Sequence, residues 1–349
     1  LHNCAALLGL RYFGEHKKGT LTLAWGVAVR NGFISCHGGL KRYNLPGGKS
    51  FVMAVFGLSG SGKSILTHAK HDGKYDVTIL HDDAVVVHCD EKYSIALEPT
   101  YFDKTQDYPL GSEANKFIIT LQNNGVTRDK EGRLYPLTVD LRNGNGRAIK
   151  SRLWSPNRVD RIDEPINAIF WLMKDPTMPP VVKITEASLG SAMGATLATK
   201  RTTAERLAPG VDPNALVFEP YANPFRTYPL GVDYERFKAL LDGGVDCYVL
   251  NTGDFMGKKV EPKHTLGIIE AIVEGKARFV PWGNFSKLQI MEIEGFAADF
   301  SDPKYKEQFS ARMNDRIRFV KERETEKGGF DKLPPEALEV LEEVLHEAG

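Results

Sequence analysis

Apolar residues gather along this chain in short runs separated by Gly, Pro and acidic residues. Positions 51–56 read FVMAVF, 168–173 and 247–250 are two further unbroken apolar runs, and 77–80 is apolar but for Thr78. Runs this short, bounded by turn residues, are the pattern of strands buried on both faces. Positions 20–28 and 32–37 also read as strands from their β-branched and apolar content. Positions 85–88 and 94–97 read as a hairpin around Asp90-Glu91-Lys92. Turns are predicted at 44–50 and at 175–180, the latter carrying Pro176, Pro179 and Pro180. Positions 105–150 are polar and turn-rich, with two expected strands. A helix is predicted from 65 to 70, and amphipathic helices over 234–241 and 265–273. From Pro303 onward the chain is helical and highly charged, the pattern of a solvated helical cap packed on the domain. Strands interleaved with helices make this an α/β protein.

Length sharpens the picture only a little. At 349 residues the chain has room for two or three domains, or for one large α/β domain with extensions. The expected division is a nucleotide- and metal-binding domain over 1–300 and a helical extension over 301–349. Charge matters more. Lys plus Arg and Asp plus Glu both number 45, so nothing draws the whole molecule to nucleic acid or to an anionic membrane. Any positive field must be local. The four cysteines, Cys4, Cys36, Cys89 and Cys247, are too scattered for a structural zinc site or a disulfide framework, which suits a reducing cytoplasm. No apolar run approaches the roughly 18 residues of a membrane span. The opening ten residues are apolar but lack the basic flank of a signal sequence, and the first is Leu. The expectation is a chain that begins part-way through a longer protein.

The chemistry is concentrated in Gly57-Leu58-Ser59-Gly60-Ser61-Gly62-Lys63-Ser64, a full match to GxxxxGK[ST] between a predicted strand and a predicted helix. The glycines allow successive backbone N–H groups to face one concavity, and the helix adds its positive end. Lys63 supplies a cation for the β- and γ-phosphates, and Ser64 a hydroxyl for Mg²⁺. His81-Asp82-Asp83 follows at the end of the next predicted strand, where paired carboxylates suit a metal between nucleotide and reacting group. Upstream lie the basic pair Lys17-Lys18, placed before a strand, and His37 in Ser35-Cys36-His37. Each of these alone reads as a surface or structural feature.

Taken together and in order, these pieces resemble the ATP-dependent phosphoenolpyruvate carboxykinases. The resemblance rests on YFGEHKKG from Tyr12, SCH at 35–37, GLSGSGKS at 57–64, Asp82-Asp83, Glu98 with Lys104, Arg147 in NGR, PPVVKIT at 179–185 and LNTGDFMGKKVEPKHT at 250–265. It spans about residues 10–295. It implies a mixed-sheet P-loop nucleotide-binding domain and conversion of oxaloacetate and ATP to phosphoenolpyruvate, CO₂ and ADP. By the same resemblance, Lys18, His37 and Asp83 would hold Mn²⁺, while Ser64 and Asp82 would serve the Mg²⁺ carried by ATP. Lys17, Lys63 and Arg147 would neutralise the transferring phosphoryl group, and Tyr12 would lie by the substrate. Lys104, Lys259, Val260 and Thr265 would bind the nucleotide. The implied partners are small molecules, with no nucleic acid and no membrane.

The chain departs from the family pattern at Ala84-Val85-Val86-Val87, at Pro99-Thr100, at Lys259 where the family has arginine, at 148–151, and at Ala204-Glu205-Arg206. The run GLSGSGKS followed by HDDAVVV also resembles the HPr kinase/phosphorylase pattern, in which one carboxylate is a general base for a serine hydroxyl. A non-catalytic nucleotide sensor is the third reading that the residues leave open.

Overall fold

A computed structural model describes residues 4–9, 12–58, 60–105, 108, 111–136, 146–200 and 215–349. Its helices are α1 (Phe13–Arg30), α2 (Lys63–His68), α3 (Ala187–Ala195), α4 (Leu230–Asp242), α5 (Pro262–Val273), α6 (Pro303–Arg323) and α7 (Pro335–Ala348). The first ten strands are β1 (Phe33–Asn44), β2 (Ser50–Phe56), β3 (Asp76–His81), β4 (Ala84–His88), β5 (Ser94–Ala96), β6 (Tyr101–Lys104), β7 (Ile118–Gln122), β8 (Val126–Arg128), β9 (Leu134–Pro136) and β10 (Arg147–Lys150). They are followed by β11 (Arg161–Ile162), β12 (Ala168–Met173), β13 (Val181–Ile184), β14 (Ala198–Lys200), β15 (Leu216–Phe218), β16 (Asp246–Asn251), β17 (Asp254–Phe255), β18 (Lys258–Lys259), β19 (Val280–Pro281) and β20 (Leu288–Ile290).

Among the described residues, eleven strands form one sheet in the order β11-β5-β4-β1-β2-β12-β16-β13-β20-β19, with β3 also on β1. β2, β12 and β16 run parallel to one another, and the pairs on either side of them are antiparallel. The fold is therefore a mixed α/β sheet, as the alternation of elements predicts. The unbroken apolar runs become the strands with a helix layer on each face. Phe56, Trp171, Met173 and Val249 pack on one side with α3, α4, α6 and α7. Val55, Phe170, Leu172 and Leu250 pack on the other with Leu66 of α2 and Ile268, Ile269 and Ile272 of α5. A second sheet, β6-β10-β7, stands apart from the first.

Four expectations need correction. Residues 20–28 are not a strand but the second half of α1, whose buried Leu21, Trp25 and Val29 recur every four residues. Their β-branched content hid a helical period, and Lys17 and Lys18 consequently lie within a helix rather than before a strand. The helix predicted over 65–70 starts and ends two residues earlier, at Lys63–His68. The described residues of 105–150 hold four strands rather than two, and β7 and β8 are too short and too exposed to leave an apolar run. The C-terminal segment is more than a solvated cap. Tyr305, Phe309, Met313, Ile317 and Val320 of α6, with Val340, Leu341 and Val344 of α7, join the same apolar cluster as Trp171. Helix α3 had no sequence signal because eight of its nine residues are buried and no polar face marks the period.

Candidate functional site

The site grows from β1. His37, Gly39, Lys41 and Tyr43 alternate along this strand, so they share one face. That face runs beneath α2 from its start to beyond its end. His37 Nε2 lies 3.2 Å from Lys63 Nζ. At Gly39 a Cβ would stand 1.9 Å from Thr67 Oγ1, so only glycine admits the helix here. Lys41 Nζ, fully buried, donates to the carbonyls of Leu66 at 2.7 Å and Ala69 at 2.8 Å and so caps the helix C-terminus. Tyr43 hydroxyl meets His71 Nε2 at 2.9 Å. A helix of six residues cannot hold itself together in water, and these contacts supply what its length does not.

The loop between β2 and α2 turns through Gly60 (φ 80°) and Gly62 (φ 97°), backbone conformations that glycine tolerates and side chains resist. Ser61 Oγ is buried with no hydrogen-bond partner among the described residues. A buried hydroxyl without a partner is costly unless something else supplies one, and an incoming phosphate oxygen would. Lys63 is buried and Ser64 is exposed at the first turn of α2. Ser59 lies outside the described residues.

Asp82 and Asp83 interrupt what is otherwise one run of chain antiparallel to β1. β3 pairs through Leu40 with His81, and β4 through His37 with Ala84. The interruption leaves the two carboxylates pointing to different places. Asp83 enters a basin lined by lysines: its Oδ2 accepts from Lys17 Nζ at 2.5 Å and Lys18 Nζ at 2.8 Å, and its Oδ1 lies 3.4 Å from Lys63 Nζ. Asp82 Oδ2 is instead 3.4 Å from His68 Nε2, and its Oδ1 is 3.8 Å from His81 Nδ1. The Asp82 carboxylate therefore lies beside His68, the last residue of α2.

Burial and crowded charge together shift several groups in the basin. Burial alone would raise Asp83, but Lys17, Lys18 and Lys63 outweigh it and hold the carboxyl well below its usual range. Burial would lower Lys17, yet Asp83 and Glu98 keep it above its usual range. Lys18 goes the other way: burial, with Lys17 and Lys63 adjacent, brings it down to about 8 against the pull of Asp83. Burial, helped by Lys63 and Lys18, depresses His37 to about 3, so its imidazole is neutral at pH 7. Asp82 is also lowered, because the His68 and His81 contacts outweigh its burial. Glu98, with Oε1 3.4 Å from Lys17 Nζ, is pushed up to about 7 by burial.

A neutral His37 has one N–H, and its Nδ1 sits 2.5 Å from the carbonyl of Ala222, which can only accept. The proton therefore lies on Nδ1, and Nε2 presents a bare lone pair. That lone pair faces Asp83 Oδ1 at 2.9 Å, acceptor against acceptor, with Lys18 Nζ 3.4 Å away. Lys63 Nζ, 3.2 Å from Nε2 and 3.4 Å from Oδ1, faces both acceptors, and a metal ion between them would satisfy both as well. The spacings suit neighbouring ligands of a small divalent ion, which at bond lengths of about 2.1 Å and right angles lie about 3 Å apart. A lysine nitrogen binds a metal only when deprotonated, and the depressed Lys18 is the one best prepared for that. Among the described residues no three His, Cys, Asp or Glu side chains form a metal group.

The remaining predicted residues fall in two places. Arg147 donates to the Tyr12 hydroxyl and stacks 5.1 Å over its ring. Arg147 is also in cross-strand register with Lys104. Phe13 stacks on Phe102, and Lys17 Nζ lies 5.2 Å over the same ring, which joins this group to the basin. Lys259, Val260 and Thr265 do not touch the basin. They lie beyond the C-terminal end of β16, with Lys259 exposed and Val260 and Thr265 buried. Because β2, β12 and β16 are parallel, the glycine loop and the chain after β16 leave the sheet at one rim, where open α/β sheets bind ligands. Ala204-Glu205-Arg206 lie outside the described residues. Lys41, His68 and His81 were not singled out as functional from the sequence, since nothing in their spacing shows what they meet across the fold.

A glycine loop thus leads from a mixed sheet into a lysine-lined basin with a histidine and a carboxylate. A family model for phosphoenolpyruvate carboxykinase, in its ATP-dependent form, matches residues 2–294. The chain belongs to the ATP-dependent phosphoenolpyruvate carboxykinase family. Comparison with curated proteins finds no match. Membership carries a carboxykinase-like function in general: an enzyme of the lyase and phosphotransfer kind, acting on small molecules with ATP and a divalent metal. No helix among the described residues is long and apolar enough to cross a membrane.

Proposed function

We propose that this protein converts oxaloacetate and ATP to phosphoenolpyruvate, CO₂ and ADP. The observation that carries the reading is the convergence of Lys17, Lys18 and Lys63 on Asp83 beside a neutral His37, at the end of the glycine loop. Loss of CO₂ breaks a C–C bond and leaves its electron pair as an enolate. The enolate oxygen then attacks the γ-phosphorus, and ADP departs. Both steps develop negative charge, and fixed cations already desolvated in the basin stabilise that charge without reorganising. Lys63 and Lys17 neutralise the phosphoryl group in transfer, joined by Arg147, while Tyr12 orients the substrate on the side of the small sheet. Backbone groups of Gly57, Leu58, Ser59, Gly60, Ser61 and Gly62 cradle the phosphates. Lys104, Lys259, Val260 and Thr265 hold the base and ribose.

Lys18, His37 and Asp83 would hold Mn²⁺, and Ser64 and Asp82 the Mg²⁺ of the nucleotide; these ions supply further positive charge at the enolate and the phosphates. Residues 1–300 form the nucleotide- and metal-binding unit in this reading, and 301–349 an extension on it. The cytoplasm, with its reduced thiols, is the compartment that suits the four free cysteines. A kinase that deprotonates a serine hydroxyl fits less well. It needs a carboxylate free to take a proton, whereas Asp83 is engaged by three lysines and held far below the range where it could.

The test is phosphoenolpyruvate formation from oxaloacetate with ATP, Mg²⁺ and Mn²⁺, with Lys63→Ala as control. Product that disappears in the variant supports the assignment. A chain that binds MgATP yet forms no phosphoenolpyruvate refutes the reaction while leaving the nucleotide site in place.

A further inference from the structure

Helix α6 lies beyond the segment matched by the family model, yet its Arg316 is fully buried. Arg316 Nη2 donates to Asp175 Oδ2 at 2.9 Å, and both side chains are entirely out of solvent. Its Nη1 donates to the carbonyl of Thr196, just past the C-terminus of α3, and lies 3.1 Å from the Thr196 hydroxyl. Asp175 is the second residue after β12, at the rim that carries the glycine loop. Its Oδ1 accepts from the Thr177 hydroxyl at 2.8 Å and the Thr177 amide at 3.1 Å. From α6, Arg312 Nε stands 3.7 Å from Asp175 Oδ1, and Tyr305 hydroxyl donates to the Thr177 carbonyl at 2.9 Å.

The loop held in this way holds the next one. Asn251, at the end of β16, places the two donors of its Nδ2 among the carbonyls of Asp175 at 2.9 Å, Met178 at 2.6 Å and Asp254 at 2.9 Å. The Met256 amide donates to the carbonyl of Pro176 at 3.0 Å. Loops 174–180 and 252–260 are therefore one tied unit, seated on a buried guanidinium of α6. A buried ion pair is a poor source of stability, because desolvation offsets its attraction. A geometric role accounts better for its presence here.

We propose that Arg316 and Asp175 form a joint through which α6 positions the two strand-end loops, and that this joint sets the affinity of the site for the base end of its nucleotide. The proposal rests on the nucleotide reading above. Arg316 is a positioning residue in it, since it touches only protein.

The test pairs Arg316→Met with Asp175→Asn, so that no buried charge is left alone and the Thr177 contacts can persist. Hydrogen exchange in the nucleotide-free protein reads the joint directly. The amides of Thr177, Met178, Thr252 and Met256 should exchange about ten-fold faster or more, while those of the glycine loop stay unchanged. MgATP should then bind about ten-fold more weakly, and magnesium tripolyphosphate, which lacks the base, equally well. General loosening would instead weaken both ligands and overturn the proposal. Unchanged exchange at the four amides overturns the joint, and faster exchange with unchanged MgATP affinity overturns its coupling to the nucleotide. If the unmodified protein binds tripolyphosphate but gains nothing from the base, the assignment of the base to this rim fails, whatever exchange shows.

Discussion

Two regions of this protein bury charge, and they do so on opposite terms. In the basin, three lysines share Asp83, and Glu98, the second acid beside Lys17, is pushed toward its neutral form. In the joint, Asp175 meets Arg316 with both side chains fully enclosed, and hydrogen bonds to Thr177 and Thr196 take up much of the remaining capacity. The basin carries cations in excess of what its own carboxylates satisfy, and it is partly open: the side chains of Asp83 and Lys18 are 22% and 24% exposed. Crowded like charge beside solvent is what a site for an incoming anion requires. A closed, matched pair binds nothing and can only hold parts of the fold together.

The contrast is testable in order of expected effect. Lys63→Ala should reduce phosphoenolpyruvate formation by about a thousand-fold, roughly 4 kcal/mol of transition-state stabilisation, while urea unfolding moves little. Arg316→Met alone should do the reverse, costing about 3–5 kcal/mol in urea unfolding because Asp175 is left charged and enclosed. An active but unstable Lys63→Ala, or a stable and inactive Arg316→Met, would erase the distinction. Glu98→Gln should have a smaller, pH-dependent effect. The carboxyl of Glu98 is raised to about 7 in the folded protein, above its usual 4.5. Between these values the folded state binds more protons, so this contribution favours folding at low pH and is lost as pH rises through 7. The glutamine variant should flatten that slope, by about 2–3 kcal/mol between pH 4.5 and 7, in unfolding measured across pH. At the bottom of the scale, Lys321→Ala removes an exposed contact with Glu342 at 2.9 Å between α6 and α7, and unfolding should shift by less than about 0.5 kcal/mol.

What the sequence disclosed follows from how far its signals reach. The run at 168–173 is a strand to the residue and that at 51–56 to within one, because burial on both faces leaves no ambiguity of period. The glycine loop between strand and helix was legible as a local motif. α1 was not, because four residues of period and a β-branched composition pointed in different directions over 20–28. Lys17, Lys18 and His37 could be joined to the loop only through family resemblance, since their meeting at Asp83 depends on how α1 crosses β4. Asp175 and Arg316 left no trace at all: an aspartate in a proline loop and an arginine in a charged helix each look solvated until the fold encloses them.

The face of β1 that runs beneath α2 has a consequence for how this lineage can change. His37, Gly39, Lys41 and Tyr43 meet Lys63, Thr67, the helix end and His71 in turn. Removing one residue from the strand between His37 and Lys41 would invert the alternation, so one group could stay in place only by sending the other to the opposite face. Insertions and deletions are thus barred from a stretch that a sequence comparison would score as ordinary strand, whereas substitutions at Ile34, Cys36 and Leu40 on the other face answer only to packing. Helix α2 has no inheritance separate from β1; the two can be transplanted, duplicated or lost only together.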